Sequence, residues 1–324
     1  MKILVFGTGV IGSTYGYVLA EAGHQVTHLV RPGHGPAGGA IPLRLLDGRQ
    51  AEPVDVEATY RPGIVETFSP ADRYDLILVS VKHYDLLSAV AELPARAGSA
   101  DILIFNNWWG TFEPIDAELA GRYLWGFPVA GGGWADGVLQ AALLGQVQLA
   151  EVDGSATPRL AAVARLFEGA GISAERPALM RDWLWIHFAT EAGLIASAIE
   201  AAGVDALLDS TERLSSAVLA VRDGLEVCRA RGVDVEASAD AQTFYAPPDM
   251  VAAGIAQFYA TNVPARRILD RHTGAEELRQ IYRDVVATGT GLGVPMPHLL
   301  ALQAAVEAWD GTVPTGPRTL AAAR

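Results

Sequence analysis

Three groups of residues in this chain have types and spacings that could do chemistry. The first is Gly7-Thr8-Gly9-Val10-Ile11-Gly12, directly behind the apolar run Met1–Phe6. Glycines so spaced allow a sharp turn, a close approach of backbone to a pyrophosphate, and tight packing of a helix on its strand. The helix N-terminus then offers free N–H groups to phosphate oxygens. The second is Arg31, at the end of the next apolar run Gln25–Val30, with no acid following until Asp47. A site for NAD usually places Asp or Glu about 20 residues beyond the glycines to hold the ribose 2′-hydroxyl. A guanidinium there suits a 2′-phosphate instead, so the spacing predicts NADP(H). The third is the pair His187 and Glu191, four residues apart in a helical stretch and so on one helix face. An imidazole oriented by a carboxylate can give a proton to a carbonyl as hydride arrives, or take one in the reverse direction. The same histidine also suits a packed place among Trp183, Trp185 and Phe188, with Glu191 as its structural partner.

The elements that must position these groups are legible in outline. Ile11, Tyr15, Val18, Leu19 and Ala22 recur at helical spacing, Gly23 stops the helix, and a second strand follows. Tyr74–Val81 reads as a buried parallel strand ending at Lys82, and Asp101–Phe105 as another ending at Asn106-Asn107. Ligands of open α/β sheets gather beyond the carboxyl ends of the strands, which puts Lys82 and Asn107 on the rim of the glycine turn. Strand-like pieces Tyr123–Val129 and Gly137–Leu139 are separated by Ala130-Gly131-Gly132-Gly133. Three glycines there fit either a backbone passing close to a nicotinamide or a wide turn. From about Ala178 the apolar spacing becomes helical, with helices expected at Ala178–Ala202, Ser210–Arg231, Pro248–Asn262, Ala275–Thr288 and Pro297–Trp309. The expected division is a nucleotide-binding domain over 1–177, a helical domain over 178–310 and a loose tail over 311–324.

Composition narrows the classes. The net charge of −13 counts against nucleic acid and anionic membrane surfaces as partners. Cys228 is the single cysteine, and no HExxH-type spacing occurs among the histidines, so neither a disulfide framework nor a metal site is expected. The longest apolar-rich stretch, Ala192–Leu208, is interrupted by Glu200 and Asp205. A cytoplasmic protein acting on a small molecule, as monomer or homodimer, is the expectation.

The order of these parts resembles the ketopantoate reductase family over almost the whole chain. The likeness rests on Gly7-x-Gly9-x-x-Gly12, Arg31, Val81-Lys82, Asn107-x-x-Gly110-Thr111, Asp136-Gly137, Trp185 and Gly291-x-x-Val294-Pro295. It implies an α/β Rossmann-type N-terminal domain and an all-α C-terminal domain like that of 6-phosphogluconate dehydrogenase. It also implies an NADP-dependent reduction of a carbonyl, with Lys82 and Asn107 by the nicotinamide ribose and Asn107 near the substrate. Thr8, Val10, Ile11, Ala130 and Glu276 complete the implied cofactor contacts.

The helical half departs from the family pattern. Where the family has a catalytic lysine two residues after the tryptophan, this chain has His187, and where it has asparagine four residues on, this chain has Glu191. The second substrate asparagine falls at Ile195, the serine near Pro264-Ala265, and the Thr-Glu pair becomes Thr273 followed by Gly274-Ala275, with Glu276 or Glu277 as partial replacement. Those departures count against ketopantoate as substrate. Together with Trp108, Trp109 and Trp134 they favour something bulkier or less polar. Arg266-Arg267 suit either a substrate carboxylate or an exposed helix end, and His272 and Glu276 make a second pair four apart. Two other readings keep the scaffold and change its use: a non-catalytic NADP-binding sensor, and an imine-reducing or non-redox enzyme.

Overall fold

A computed structural model describes residues 1–271 and 274–311. The chain packs as two units, one of Met1–Trp185 with Val263–Arg271, the other of Ile186–Asn262 with the described part of His272–Arg324. The first unit opens with β1 (Lys2–Phe6), α1 (Val10–Glu21) and β2 (Gln25–Leu29). A hairpin of β3 (Ile41–Gly48) and β4 (Val54–Tyr60) follows, then β5 (Gly63–Val65), β6 (Leu76–Val79), α2 (Leu86–Arg96) and β7 (Asp101–Phe105). α3 (Glu113–Leu119), β8 (Tyr123–Ala135), β9 (Val138–Ala150), α4 (Pro158–Gly169) and β10 (Ser173–Glu175) complete its continuous part.

The sheet order is β4-β3-β9-β8-β7-β6-β1-β2-β5, with β10 on β9. From β5 to β8 every pairing is parallel, and β1 lies where the order reverses. Register puts Phe6 opposite Leu29 and Val79 opposite Ile104. The segments leaving β1, β2, β6 and β7 therefore emerge on one rim, the crevice in which such sheets hold ligands. Alternation along each strand fills two cores. Ile3, Val5, Leu76, Leu78, Leu103 and Phe105 pack with Tyr15, Val18, Leu19 and Phe167 on one face. Leu4, Ile77, Val79, Ile102 and Ile104 pack with Leu86, Val90, Leu93 and Trp125 on the other. Both faces are covered, which is why these strands read as unbroken apolar runs.

The sheet also curls. Only Arg61 and Pro62 separate β4, at one end of the strand order, from β5, at the other. Ile41, Leu43, Leu45 and Tyr60 of the hairpin join the same core as α1, so the hairpin closes over that helix.

Several sequence expectations need correction. The glycine triplet does not separate two strands. Gly131, Gly132 and Gly133 lie inside β8 and pair with β9 at Ala142, Ala141 and Gln140. What passes close to them is protein. A Cβ on Gly131 would meet Ile268 Cγ2 at 2.6 Å, and one on Gly132, at φ +151°, would meet the Gln140 carbonyl oxygen at 2.1 Å. Ile268 belongs to Val263–Arg271, which is helical and packs on β3, β8 and β9, a segment expected in the helical domain. The β3–β4 hairpin turns between Gly48 and Val54, past the Asp47-Gly48 pair whose residue types suit a turn. The tail beyond Gly311 lies outside the described residues, as do His272 and Thr273.

α5 (Met180–Glu200) begins in the first unit and continues into the second. Next come α6 (Val204–Leu208), α7 (Thr211–Ala230), α8 (Ala239–Thr243) and α9 (Pro248–Thr261). α10 (Val263–Arg271) is the helix that returns to the sheet, after which α11 (Ala275–Leu292), α12 (Pro297–Ala301) and α13 (Gln303–Ala308) finish the second unit. Glycines inside α5 and α7 have a packing reason. A Cβ on Gly193 would meet Val221 at 2.7 Å, and one on Gly224 would meet Ala189 at 3.1 Å, so the two helices cross backbone to backbone. Pro297–Trp309, expected as one helix, breaks at Leu302. The buried Asp223 carboxylate accepts the N–H groups of His298 and Leu299 at 2.7 and 2.9 Å, anchoring the start of α12 on α7.

Candidate functional site

The glycine turn has the geometry that anion binding needs. Gly7 sits at φ +81°, a conformation open to glycine at little cost, and its N–H donates to the Leu29 carbonyl at 2.7 Å. A Cβ on Gly12 would lie 2.7 Å from Ser80 Oγ and 3.0 Å from Val5 Cγ1, so that glycine lets α1 settle on the sheet. Gly9 is different. Its φ of −68° suits any residue, and a Cβ there would meet nothing within 4 Å. Folding does not require glycine at this place. Gly9 is the N-cap of α1, yet no side chain caps the helix and its first turn holds no acid. Thr8, Gly9, Val10 and Ile11 thus form an open, uncapped helix start, and a pyrophosphate fits this donor set.

The other rim residues take their places from the strand ends. Arg31 follows β2, is exposed, and makes no ion pair among the described residues. Glu66, just past β5, accepts the Gly33 N–H at 2.8 Å. Lys82 is exposed and opens the single turn His83–Asp85 behind β6. Asn106 and Asn107 follow β7. Asn106 Nδ2 donates to the Val81 carbonyl at 3.2 Å, tying the segment behind β7 to the one behind β6. The half-buried Asn107 accepts the Trp108 N–H through Oδ1 at 3.1 Å. Ala130 lies in β8 beside the irregularity at Pro128 and packs toward the α1 core.

Sequence reasoning missed His28. Fully buried in β2, it points Nδ1 at the Gly7 carbonyl, 2.6 Å away, and Nε2 at the Tyr60 hydroxyl, 3.1 Å away. Burial pulls its pKa down to about 4, against the opposing pull of the Gly7 carbonyl. A histidine on the inward face of an apolar strand was the available signal.

Trp108, Trp109 and Trp134 differ in exposure. Trp108 and Trp109 are buried. Trp108 packs beside Trp125 and donates from Nε1 to the Thr111 carbonyl at 3.2 Å, while Trp109 faces Trp185. Trp134 is exposed beside the Asp136-Gly137 turn. Arg266 and Arg267 of α10 are engaged, Arg266 with Asp270 at 2.8 Å and Arg267 with Asp55 at 3.2 Å.

Within the second unit, His187 Nε2 lies 3.3 Å from Glu191 Oε1, both side chains about one-third exposed (30% and 33%). The structure therefore brings this pair together. Tyr259 on α9 has its hydroxyl pushed up to about 12, by burial and then by the charge of Glu191. An apolar groove of about 540 Å³ is lined by Leu194, Phe244, Met250, Ile255, Phe258 and Tyr259 among others. Leu194 follows Glu191 by one helical turn, so α5 carries His187, Glu191 and the groove wall on one side. Glu276 sits in the first turn of α11, 3.3 Å from Arg279. Among the described residues no cluster could hold a metal, and no helix is long and apolar enough to cross a membrane.

A parallel sheet opening on a glycine turn, followed in the chain by a helical unit, defines a two-part protein with a Rossmann-type first half. The model of the family described as ketopantoate reductase PanE/ApbA matches residues 3–154. A 2-dehydropantoate 2-reductase of Halobacterium salinarum is 28% identical over 253 residues, covering 74% of this chain and 78% of that protein. The crystal structure of 2-dehydropantoate 2-reductase from Geobacter metallireducens superposes with a TM-score of 0.68 at 19% identity, covering 95% of this chain and 99% of the other. D-mandelate dehydrogenase, solved with NADH and anilino(oxo)acetate, also gives 0.68, at 17% identity over 95% and 97%. Over residues 3–154 the chain thus matches the ketopantoate reductase family, and the curated relatives it resembles are 2-dehydropantoate 2-reductases, oxidoreductases acting on a CH–OH/C=O pair.

Proposed function

We propose that this protein is an NADP(H)-dependent oxidoreductase that interconverts a carbonyl and a hydroxyl on a small molecule less polar than ketopantoate. The observation that carries the cofactor reading is Gly9, a glycine that neither backbone conformation nor packing demands, at an uncapped helix start. Thr8, Gly9, Val10 and Ile11 would receive the pyrophosphate, and Lys82 and Asn107 would lie along the nicotinamide ribose. Arg31, exposed and outside any described ion pair, would meet the 2′-phosphate.

When bound, the nicotinamide supplies or accepts the hydride. His187 would carry the accompanying proton to or from the substrate oxygen, with Glu191 orienting its ring. The groove beside Leu194 supports a substrate bearing an apolar group. The test is a panel of 2-oxo acids, ketones and imines, read as NADPH absorbance with the full-length protein. Turnover of an apolar 2-oxo acid or ketone, lowered in Glu191→Gln, agrees with the reading. Tight NADPH binding with no turnover across the panel would make the protein a sensor, and preference for imines would change the reaction class.

A further inference from the structure

We propose that His28 and Tyr60 brace the cofactor turn, fixing the direction in which its first free N–H points. This rests on the reading of that turn as the pyrophosphate site. A backbone carbonyl only accepts hydrogen bonds, so the 2.6 Å contact with Gly7 requires the proton of His28 on Nδ1. Nε2 is then the acceptor and takes the O–H of Tyr60 at 3.1 Å. The order is fixed from end to end: Tyr60 O–H to His28, His28 N–H to Gly7 C=O.

The peptide unit transmits the effect. It is planar and trans, so its C=O and N–H point in opposite directions. Drawing the Gly7 carbonyl inward onto His28 turns the Thr8 N–H outward, to the open side of the turn. The N–H of Gly7 is held as well, by the Leu29 carbonyl at 2.7 Å. Both sides of a residue at φ +81° are thus tied to β2, and the turn is held before any ligand arrives.

The room for this brace is built in. A Cβ on Gly16 would lie 2.6 Å from His28 Nε2 and 2.9 Å from the Tyr60 hydroxyl. Gly16 stands one turn beyond Gly12 in α1 and is the glycine that admits the imidazole. Tyr60 closes β4, so the brace also joins the inserted hairpin to the cofactor turn. His28 and Tyr60 are 0% and 5% exposed, which keeps water from replacing either bond.

The test compares two ligands on the full-length protein by titration calorimetry. NADPH needs the turn, whereas adenosine 2′-monophosphate lacks the pyrophosphate and needs only the Arg31 end. His28→Phe is expected to weaken NADPH about tenfold and leave adenosine 2′-monophosphate unchanged. His28→Gln, whose amide can still donate to Gly7, should recover most of the loss. Where His28→Phe yields no folded protein, Tyr60→Phe decides, with NADPH weakened about threefold relative to the monophosphate. An unchanged ratio of the two affinities in the folded variants would overturn the brace. Wild-type protein that binds neither ligand would instead overturn the cofactor reading on which it stands.

Discussion

The sheet unit and the helical unit differ in how their candidate residues are held. On the rim of the sheet, position comes from the backbone: Gly7 from its φ of +81°, Gly12 from its contact with Ser80, Arg31 and Lys82 from the ends of parallel strands. In the helical unit it comes from side chains alone. His187 and Glu191 occupy ordinary positions of α5, and a lysine or an asparagine would fit the same backbone. Backbone-built sites change little without losing the fold, whereas side-chain sites can be rewritten. The departures of this chain from the family pattern fall where rewriting is easy.

The comparison breaks first at glycines that serve packing. Gly132→Ala would force a Cβ to 2.1 Å from the Gln140 carbonyl at φ +151°, and we expect a loss of about 4 kcal/mol in urea unfolding. A midpoint equal to wild type would mean that β8 relaxes freely there. Acid should act next, through His28. Its pKa is depressed, from 6.5 in the unfolded chain to about 4 in the folded one, so the unfolded state binds more protons between those values. Stability from this group is complete above pH 6.5 and is lost as pH falls toward 4, by about 3 kcal/mol. Unfolding midpoints followed across that window should fall for wild type and stay flatter for His28→Gln.

The residues read as cofactor contacts should behave in the opposite way. Arg31→Ala is expected to weaken NADPH about 10- to 100-fold while leaving NADH nearly unchanged. Equal effects on the two nucleotides would remove the 2′-phosphate from the argument. Gly9→Ala should leave the unfolding midpoint within about 0.5 kcal/mol of wild type, because nothing lies within 4 Å of the added carbon. Its NADPH affinity should still fall about fivefold, because the new methyl crowds the approach of a phosphate. A destabilised protein with normal affinity would show that Gly9 serves the fold.

Much of the first unit was legible because its signals are local. The strand, glycine turn, helix and second strand of residues 1–31 all appear as expected, since each depends on neighbours in sequence. The glycine triplet was misread for the opposite reason. Its partners are β9 and α10, and Ile268 lies more than a hundred residues further on. α10 itself was hidden because it is short and carries three arginines and an aspartate, and its Arg267 pairs with Asp55 far back in the chain. Trp108 and Trp109 are buried behind β7, a placement that residue type and the preceding apolar strand already favour. His187 and Glu191 were paired from helical spacing alone, and the structure places them 3.3 Å apart.

The measurement that tests the account most directly is His187→Ala, with NADPH affinity and turnover of a good substrate determined on the same preparation. The account predicts an unchanged dissociation constant and a fall in kcat of about 10²- to 10⁴-fold, the span of a lost general acid or base. Turnover equal to wild type would contradict it and leave His187 as a packed side chain.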